Sequence, residues 1–333
     1  MPPPQVHLHR ALPSHAELTT FLQTFLPAQA PATTTITKMD GTVITVTKSD
    51  VSFLYHTPRH PAYSPTRNLA LRVIFSITPT SGIYSAFHAR PVHTHAQVPS
   101  DVNAHASAVC FLHRPWSLDR RAVPRGALVL ASHVSFDARL TVGWNVALAA
   151  RLNVDVDGAR CIQGYKGDPD RMIGLVGKLK VPTTLAAVTA LIRHEFDGAG
   201  ELYEQQPAED GSEVTSGATD VIAIMNAFHA EEVERVTRTA EALLPSSSDP
   251  VGSRVLYLTG AAREPGLEGA RAVGMPAFCV GHRACEEWGI KYLAHMTRER
   301  WPALDVVEVL EEEEKPEVQE KKATDSRGTA EGR

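Results

Sequence analysis

The 333-residue sequence has no long apolar run and no excess of basic residues. A helix that crosses a bilayer needs about 20 consecutive apolar residues, so we expect no association with membranes. The formal net charge is −5, and a chain without a basic stripe offers no electrostatic surface to nucleic acid. We therefore expect no direct binding to nucleic acid.

Cysteine is scarce as well. The four cysteines, Cys110, Cys161, Cys279 and Cys285, have neither metal-ligand nor redox spacing, which predicts reduced core thiols rather than disulfides. The segment MPPPQVHLHRALPSHA lacks the apolar core of a secretory signal, and Arg10 is its only strong base. Secretion is therefore disfavoured. The sequence favours a cytoplasmic location, with the nucleus and the mitochondrion left open.

The C-terminal segment is nearly devoid of apolar residues. Residues 311–333 contain eight acids and five bases. Such a segment cannot bury enough surface to offset the entropy of ordering it. We predict a disordered acidic tail that is dispensable for stability.

The rest of the chain alternates apolar runs with helical patterns, which predicts an α/β fold. Helices are predicted at 15–27, 144–152, 183–196, 230–244 and 283–300. Strands are predicted at 69–78, 107–115, 126–137, 220–228, 253–260, 277–282 and 305–310. The stretch TTTITKMDGTVITVT predicts a β-hairpin around Asp40-Gly41, and the polar residues 200–218 predict a loop.

Histidines and carboxylates lie at the ends of three predicted strands. His113 follows the run AVCFL, His133 and Asp137 end the run GALVLASHVSFD, and His282 follows AFCVG with Glu286 four positions further. Ligands of open α/β sheets bind at the carboxyl ends of strands, and residues i and i+4 share one face of a helix. Imidazole and carboxylate together suit zinc, iron or manganese. The sequence therefore predicts a divalent metal site.

A simpler explanation of Glu286 stays open. Carboxylates near the start of a helix complement the helix dipole, and both Glu286 and Glu287 could have this effect alone. The dipole would treat the two glutamates alike. A metal site would not, because consecutive helical residues point about 100° apart.

Four motifs resemble those of a known family. In chain order they are CFLHRPW, ASHVSFDARLTVGWNVALAARL, RMIGLVGKLKVPTTLAAVTALI and CVGHRACEEWGIKYLA. They are similar to four segments of the Nif-three-like family (NGG-interacting factor three, also called the GTP cyclohydrolase I type 2 homologue family). Those segments are the strand that ends in His-His-Pro, the strand–loop–helix with a histidine and an aspartate, the strand before a Pro-x-Thr-Leu helix start, and the closing Gly-His-x-x-x-Glu helix.

The resemblance implies a fold and an assembly. The expected fold has two α/β lobes with a metal-binding cleft between them. Residues 1–155 and 280–310 would form the first lobe, and residues 156–279 the second. The family commonly forms hexameric rings, so the resemblance also implies a homo-oligomer.

The resemblance also implies a set of metal ligands. Carried over position by position, they are His113, Asp137, His282 and Glu286, which would hold one or two divalent ions. Arg114 departs from the family pattern, because relatives have a second histidine there and a guanidinium cannot ligate a metal. We expect one firmly held ion, with the second held loosely or not at all, and an Arg114 fork that is available to an anionic substrate group.

Three further residues are candidates around this site. His133 is expected near the ligands, where it could support a ligating imidazole through the second ring nitrogen. Lys166 and Arg171, in the turn QGYKGDPDRMIG, could bind a small anionic ligand at the rim of the cleft. They could equally be the solvated charges of a tight turn.

Two classes of function fit these residues. A metal lowers the pKa of bound water, which suits the hydrolysis of a phosphoester or of a ring C–N bond. The sequence thus predicts a metal-dependent hydrolase, cyclohydrolase-like or phosphatase-like, that acts on a phosphorylated or nucleotide-like small molecule. The alternative is a non-catalytic metal-dependent scaffold or a transcription-related regulatory protein with a protein partner, which Arg114 and the acidic tail favour.

Overall fold

A computed structural model describes residues 12–27, 32–37, 43–48, 51–58, 60–90, 107–204, 218–246 and 249–312. The helices in these ranges are α1 (His15–Phe25), α2 (Ser81–His88), α3 (Val134–Arg139), α4 (Val146–Arg151), α5 (Leu185–Glu195), α6 (Ala230–Leu243), α7 (Glu264–Ala272) and α8 (His282–Arg300). The strands are β1 (Ala32–Thr37), β2 (Val43–Lys48), β3 (Leu54–His56), β4 (Ala70–Ser76), β5 (Ser107–Leu112), β6 (Leu128–Ala131), β7 (Arg160–Tyr165), β8 (Asp168–Thr184), β9 (Glu201–Tyr203), β10 (Ala218–Met225), β11 (Val255–Thr259), β12 (Ala277–Cys279) and β13 (Asp305–Val309).

The first lobe is built on a five-stranded sheet with the order β13-β4-β5-β6-β3. Strands β13, β4, β5 and β6 are parallel, and the edge strand β3 is antiparallel to β6. Strand β6 and most of β5 are buried on both faces, as expected for strands covered by helices on each side. Because these strands are parallel, β5 and β6 deliver the residues that follow them to one edge of the sheet.

The second lobe is built on a six-stranded sheet with the order β7-β8-β10-β11-β12-β9. Strands β10, β11 and β12 are parallel, whereas β7, β8 and β9 pair antiparallel with their neighbours. Helices α4 and α5 contribute Leu148 and Ile192 to the core on one face, and α6 and α7 contribute Val236 and Leu267 to the core on the other. The residues after β10, β11 and β12 therefore share an edge.

Helix α8 belongs to the cores of both lobes. Ile290 and Leu293 pack into the core of the first lobe, and Cys285 and Trp288 pack into the core of the second. A helix that is apolar on more than one side must be buried between layers. Since the chain then continues into β13, the first sheet receives its outer strand from the C-terminal part of the sequence.

The α/β class and the two lobes predicted from the sequence are confirmed. All five predicted helices are present, with ends that differ by a few residues, and the four cysteines are free thiols. Strands β1 and β2 form the predicted hairpin pair, while its turn at Asp40-Gly41 lies outside the described residues. The predicted tail also lies outside them beyond residue 312. None of the helices in the described ranges combines the length and apolar character needed to cross a membrane.

Two predictions about local structure are wrong. The strand predicted at 126–137 ends at Ala131, and Asp137 lies on the short helix α3 that follows. The loop predicted at 200–218 contains the edge strand β9, which pairs with β12. In both cases tertiary pairing decides the conformation, because local composition carries little information about a three-residue edge strand or a six-residue helix.

Candidate metal centre

His113 occupies the carboxyl end of β5 and is 1% exposed. Its ring stacks on Phe136, with centroids 4.4 Å apart, and on His133, with centroids 5.0 Å apart. Its Nδ1 lies 3.1 Å from the carbonyl oxygen of Ser132. A carbonyl only accepts hydrogen bonds, so Nδ1 carries the proton that is donated there, and Nε2 is the atom that faces the cleft.

His133 and Asp137 come from the turn after β6 and from the first turn of α3. Asp137 Oδ1 lies 3.3 Å from His113 Nε2, and Asp137 Oδ2 lies 3.7 Å from His133 Nε2. One ligand atom from each of His113, His133 and Asp137 falls within 4.8 Å of the others. These three residues form a group that could hold a metal ion. His133 is therefore a candidate ligand itself. The hydrogen bond that orients the His113 ring is made by the carbonyl of Ser132 and not by His133.

His282 and Glu286 are presented by the first turns of α8. Gly281 precedes the helix with a φ of 93°, a left-handed conformation that glycine adopts without strain. Glu286 is 1% exposed, and its Oε1 lies 3.2 Å from His113 Nε2 and 3.3 Å from His282 Nε2. Despite these short distances Oε1 has no hydrogen-bond partner in the described part of the chain. It is a buried oxygen surrounded by ring nitrogens and facing no properly aimed donor.

Arg114 contacts the other oxygen of the same carboxylate. Its Nη2 donates to Glu286 Oε2 at 3.3 Å, and its side chain is 28% exposed. Glu286 thus has one oxygen that faces a fixed cation and one that faces the histidines.

The pKa shifts of these side chains indicate that the cluster favours a bound positive charge. Burial lowers the pKa of His113, but hydrogen bonds and charge from Asp137 and Glu286 outweigh burial and raise it to about 9. Burial raises the pKa of Glu286, but the adjacent side chains of His113, His282 and Arg114 outweigh burial, so that this carboxyl stays ionised well below its usual range. The pKa of Asp137 is lowered in the same way, against its burial, by His113. Two carboxylates on either side of the buried His113 imidazole favour a cation between them, either a proton or a metal ion.

The chemistry of the donors fits a divalent transition metal. His113, His133 and Asp137 form the compact group, and Glu286 and His282 adjoin it through Glu286 Oε1. Nitrogen with oxygen donors suits zinc, iron and manganese. The partnerless Glu286 Oε1 is the observation that fits an ion best, since a buried carboxylate oxygen without a donor is costly unless a cation meets it. All four ligands predicted from the sequence lie in this cluster, together with His133.

A cavity of about 230 Å³ adjoins the cluster in the cleft between the lobes. Asp137 and His282 border it on the side of the histidine–carboxylate cluster, and Arg171 and Arg263 border it as well. Lys166 lies elsewhere, at the tip of the β7–β8 hairpin, where it lines a separate cavity of about 750 Å³. Of the two basic residues singled out in this turn, only Arg171 therefore borders the cavity beside the metal cluster.

Sequence reasoning missed two polar residues of this cavity. Asn226 follows β10, and its Nδ2 donates to the carbonyl of Asp137 at 3.4 Å, which links the two lobes. Arg263 lies in LTGAAREPG, a segment without the spacing of a phosphate-binding loop. Its position after β11, at the carboxyl end of a parallel strand, was the available signal.

Comparison with known proteins gives matches among solved structures alone, at low sequence identity. No protein-family model and no curated protein matches the chain. Among solved structures, protein ybgI, of unknown function, shares 14% identity with a TM-score of 0.48, covering 89% of this chain and 97% of its own. Reduced HcgD from Methanocaldococcus jannaschii shares 13% identity with a TM-score of 0.48, covering 90% of this chain and 98% of its own. A Bacillus cereus protein related to NIF3 shares 10% identity with a TM-score of 0.46, covering 91% of this chain and 98% of its own.

The chain resembles the Nif-three-like family. The resemblance consists of the four sequence motifs. The chemistry of the site follows from the donor atoms of this chain.

Proposed function

We propose that the cluster binds a divalent transition-metal ion and that the protein is a metal-dependent hydrolase of a small phosphorylated or nucleotide-like molecule. The observation that carries the proposal is the approach of His113 and His282 to Glu286 Oε1, at 3.2 and 3.3 Å, without an aligned hydrogen bond to that buried oxygen. His113, Asp137, His282 and Glu286 would be ligands, and His133 a further ligand or a neighbour of one.

The proposal specifies one ion per chain. The Arg114 guanidinium lies 3.3 Å from Glu286 Oε2, and a group that is always cationic and cannot ligate a metal excludes a second ion by repulsion. Glu286 would then be shared between one metal ion and one arginine. Arg114, which stands where the family pattern has a second histidine, would thus pair with Glu286 and keep a second ion out.

A bound metal ion would supply a water of lowered pKa as nucleophile near neutral pH. The chain's own residues hold the substrate and exclude water around it. The cavity beside the cluster is lined by polar side chains such as Thr141 and Asn226 and by the apolar Val142 and Phe228, which suits a small ligand with both polar and flat apolar parts. Hydrolysis of a phosphoester and of a ring C–N bond are both compatible with this lining.

The alternative is a metal-dependent scaffold without turnover. Arg114 favours it, because a single ion whose ligand is already paired with arginine is a weaker Lewis acid site than a pair of ions. Metal content of the purified protein, determined by elemental mass spectrometry, together with a broad screen of phosphatase and nucleotide-hydrolase substrates, tests both functions. One ion per chain with turnover that the chelated protein lacks supports the hydrolase. One ion without turnover supports the scaffold, and absence of metal after incubation with zinc, iron and manganese refutes both.

A further inference from the structure

Two arginines in the cleft have no role in the metal cluster. Arg171 and Arg263 both line the cavity of about 230 Å³ that Asp137 and His282 border. Neither guanidinium makes a hydrogen bond or ion pair with any residue in the ranges that the structure describes. Arg254 of the same lobe, by contrast, is paired with Asp220 at 2.7 Å. Two unpaired guanidiniums that face one small cavity form a surface suited to an anion.

Arg171 is held in place by an aromatic ring. Its guanidinium carbon lies 5.5 Å from the centroid of the Tyr165 ring, and Tyr165 also lines the cavity. A guanidinium that contacts an aromatic face keeps its N–H groups available to a planar or tetrahedral oxyanion. Tyr165 therefore positions Arg171 without consuming its hydrogen-bond donors.

The remaining lining is consistent with an anion and gives it neutral donors. Asn226 and Thr259 offer an amide and a hydroxyl group, and Asp137 is the only acidic side chain among the residues that line the cavity. Asp137 is itself engaged by His113 at 3.3 Å. A cavity below the roughly 300–1,000 Å³ of drug-sized ligand sites suits a small molecule or the phosphorylated end of a larger one.

We propose that Arg171 and Arg263 form an oxyanion subsite that holds a phosphate group of the substrate beside the metal centre. This inference rests on the proposed function and narrows its substrate class to phosphate-bearing small molecules. Arg171 comes from β8 and Arg263 from the segment between β11 and α7, both in the second lobe, whereas His113, Asp137 and Arg114 come from the first. A phosphorylated substrate would thus be held by the second lobe while the first contributes most of the metal ligands.

Isothermal titration of inorganic phosphate into the metal-loaded protein tests the subsite. Arg171→Gln and Arg263→Gln should each weaken phosphate binding roughly tenfold, since each removes a charge-assisted hydrogen bond, and the double variant should weaken it further. Arg271→Gln is the matched control, because Arg271 lies on α7 and is paired with Glu264 at 2.9 Å on the surface. It changes the net charge equally and should leave the phosphate affinity unchanged.

Metal content is measured on every variant, so that the subsite and the metal centre are judged separately. Absence of metal in the wild-type protein would refute the proposed function. Normal metal content with wild-type phosphate affinity in both glutamine variants would overturn the subsite and leave the metal centre standing, as would a wild-type protein that binds no phosphate. If Arg171→Gln disturbs the Tyr165 contact and loses metal, Arg263→Gln decides the outcome, because Arg263 is exposed and its side chain supports no described contact.

Discussion

His282 Nε2 lies 3.3 Å from Glu286 Oε1, one helical turn along α8. Helical periodicity alone brings this pair together, so their proximity was readable from the sequence. The same oxygen lies 3.2 Å from the Nε2 of His113. His113 follows strand β5, which is far from α8 in the sequence. The carboxylate of Glu286 is therefore where a local contact and a long-range contact meet.

Replacing Glu286 with glutamine should reduce metal affinity by about a hundredfold or more. The change preserves shape but removes the charge that offsets the cation at a nearly fully buried position. The dissociation constant is measured by competition with a chromogenic chelator.

Glu287→Gln is the matched control for that experiment. Glu287 pairs with Arg283 at 2.7 Å, and its side chain is 27% exposed, so the metal affinity of this variant should equal that of the wild type. Equal metal affinities of the two variants would contradict the assignment of Glu286 as a ligand and would favour the explanation by the helix dipole.

Metal binding near neutral pH should release at least about one proton per ion. The carboxylates of Asp137 and Glu286 outweigh burial and raise the pKa of His113 to about 9, so this ring is protonated in the metal-free protein at pH 7.5 and must lose a proton to ligate. Affinity should therefore increase as the pH rises toward 9. Calorimetry in two buffers of different ionisation enthalpy measures the proton release. Identical heats in the two buffers would show that His113 does not lose its proton when the ion binds.

Stability should fall on acidification through His15. This side chain is 0% exposed, with Nε2 3.0 Å from Ser107 Oγ and Nδ1 3.3 Å from Tyr63 Oη. Burial lowers its pKa from 6.5 to about 4, against a hydrogen bond at Ser107 that raises it. The unfolded chain therefore binds the extra proton first, and the free energy of unfolding should fall by about 3 kcal/mol as the pH drops from 6.5 to 4.

Urea unfolding of the wild type and of His15→Gln at pH 7.5 and pH 5 measures the contribution of His15 to the pH dependence of stability. The variant should lose less stability between the two pH values than the wild type, whatever its stability at pH 7.5. His194→Gln, an exposed position on α5, should behave as the wild type. A pH dependence in His15→Gln equal to that of the wild type would rule out His15 as its source.

Gly289→Ala should destabilise the protein although alanine favours helices. A Cβ at position 289 would lie 2.5 Å from the carbonyl oxygen of Leu140 and 2.6 Å from the ring of Phe136, so α8 and α3 would have to move apart. We expect a loss of about 1–3 kcal/mol and weaker metal binding, because α3 carries Asp137. Calorimetric melting and metal titration measure the two effects.

Gly82→Ala provides the comparison within a helix of the same chain. The atoms nearest to a Cβ there belong to the carboxylate of Glu311, the end of a flexible side chain that can move. This variant should lose much less stability than Gly289→Ala, because only the Glu311 carboxylate, which accepts a hydrogen bond from the Gly82 N–H, must shift. Equal melting temperatures of the two alanine variants would show that the α8–α3 contact tolerates a methyl group.

Two expectations from the sequence stay predictions. The boundaries of the lobes at residues 155 and 280 are one, and the homo-oligomer, such as a hexamer, is the other. Light scattering coupled to size-exclusion chromatography would give the oligomeric mass in solution.

The sequence by itself determined the class of fold and pointed to most of the candidate ligands. Apolar runs and helical spacing depend on neighbouring residues, so β5, β6 and α8 could be recognised from periodicity. The ends of β5 and β12 pointed to His113 and His282, and the turn of a helix placed Glu286 beside His282.

Tertiary structure alone decided how these residues meet. Strand β9 and helix α3, which carries Asp137, form against partners far along the chain. The position of α8 between two cores also depends on such partners. Arg171 and Arg263 share a cavity because β8 and β11 flank β10 in one sheet, which no local pattern encodes. Local periodicity fixes what a segment becomes, whereas the burial of its apolar faces against other segments fixes which side chains meet across the cleft.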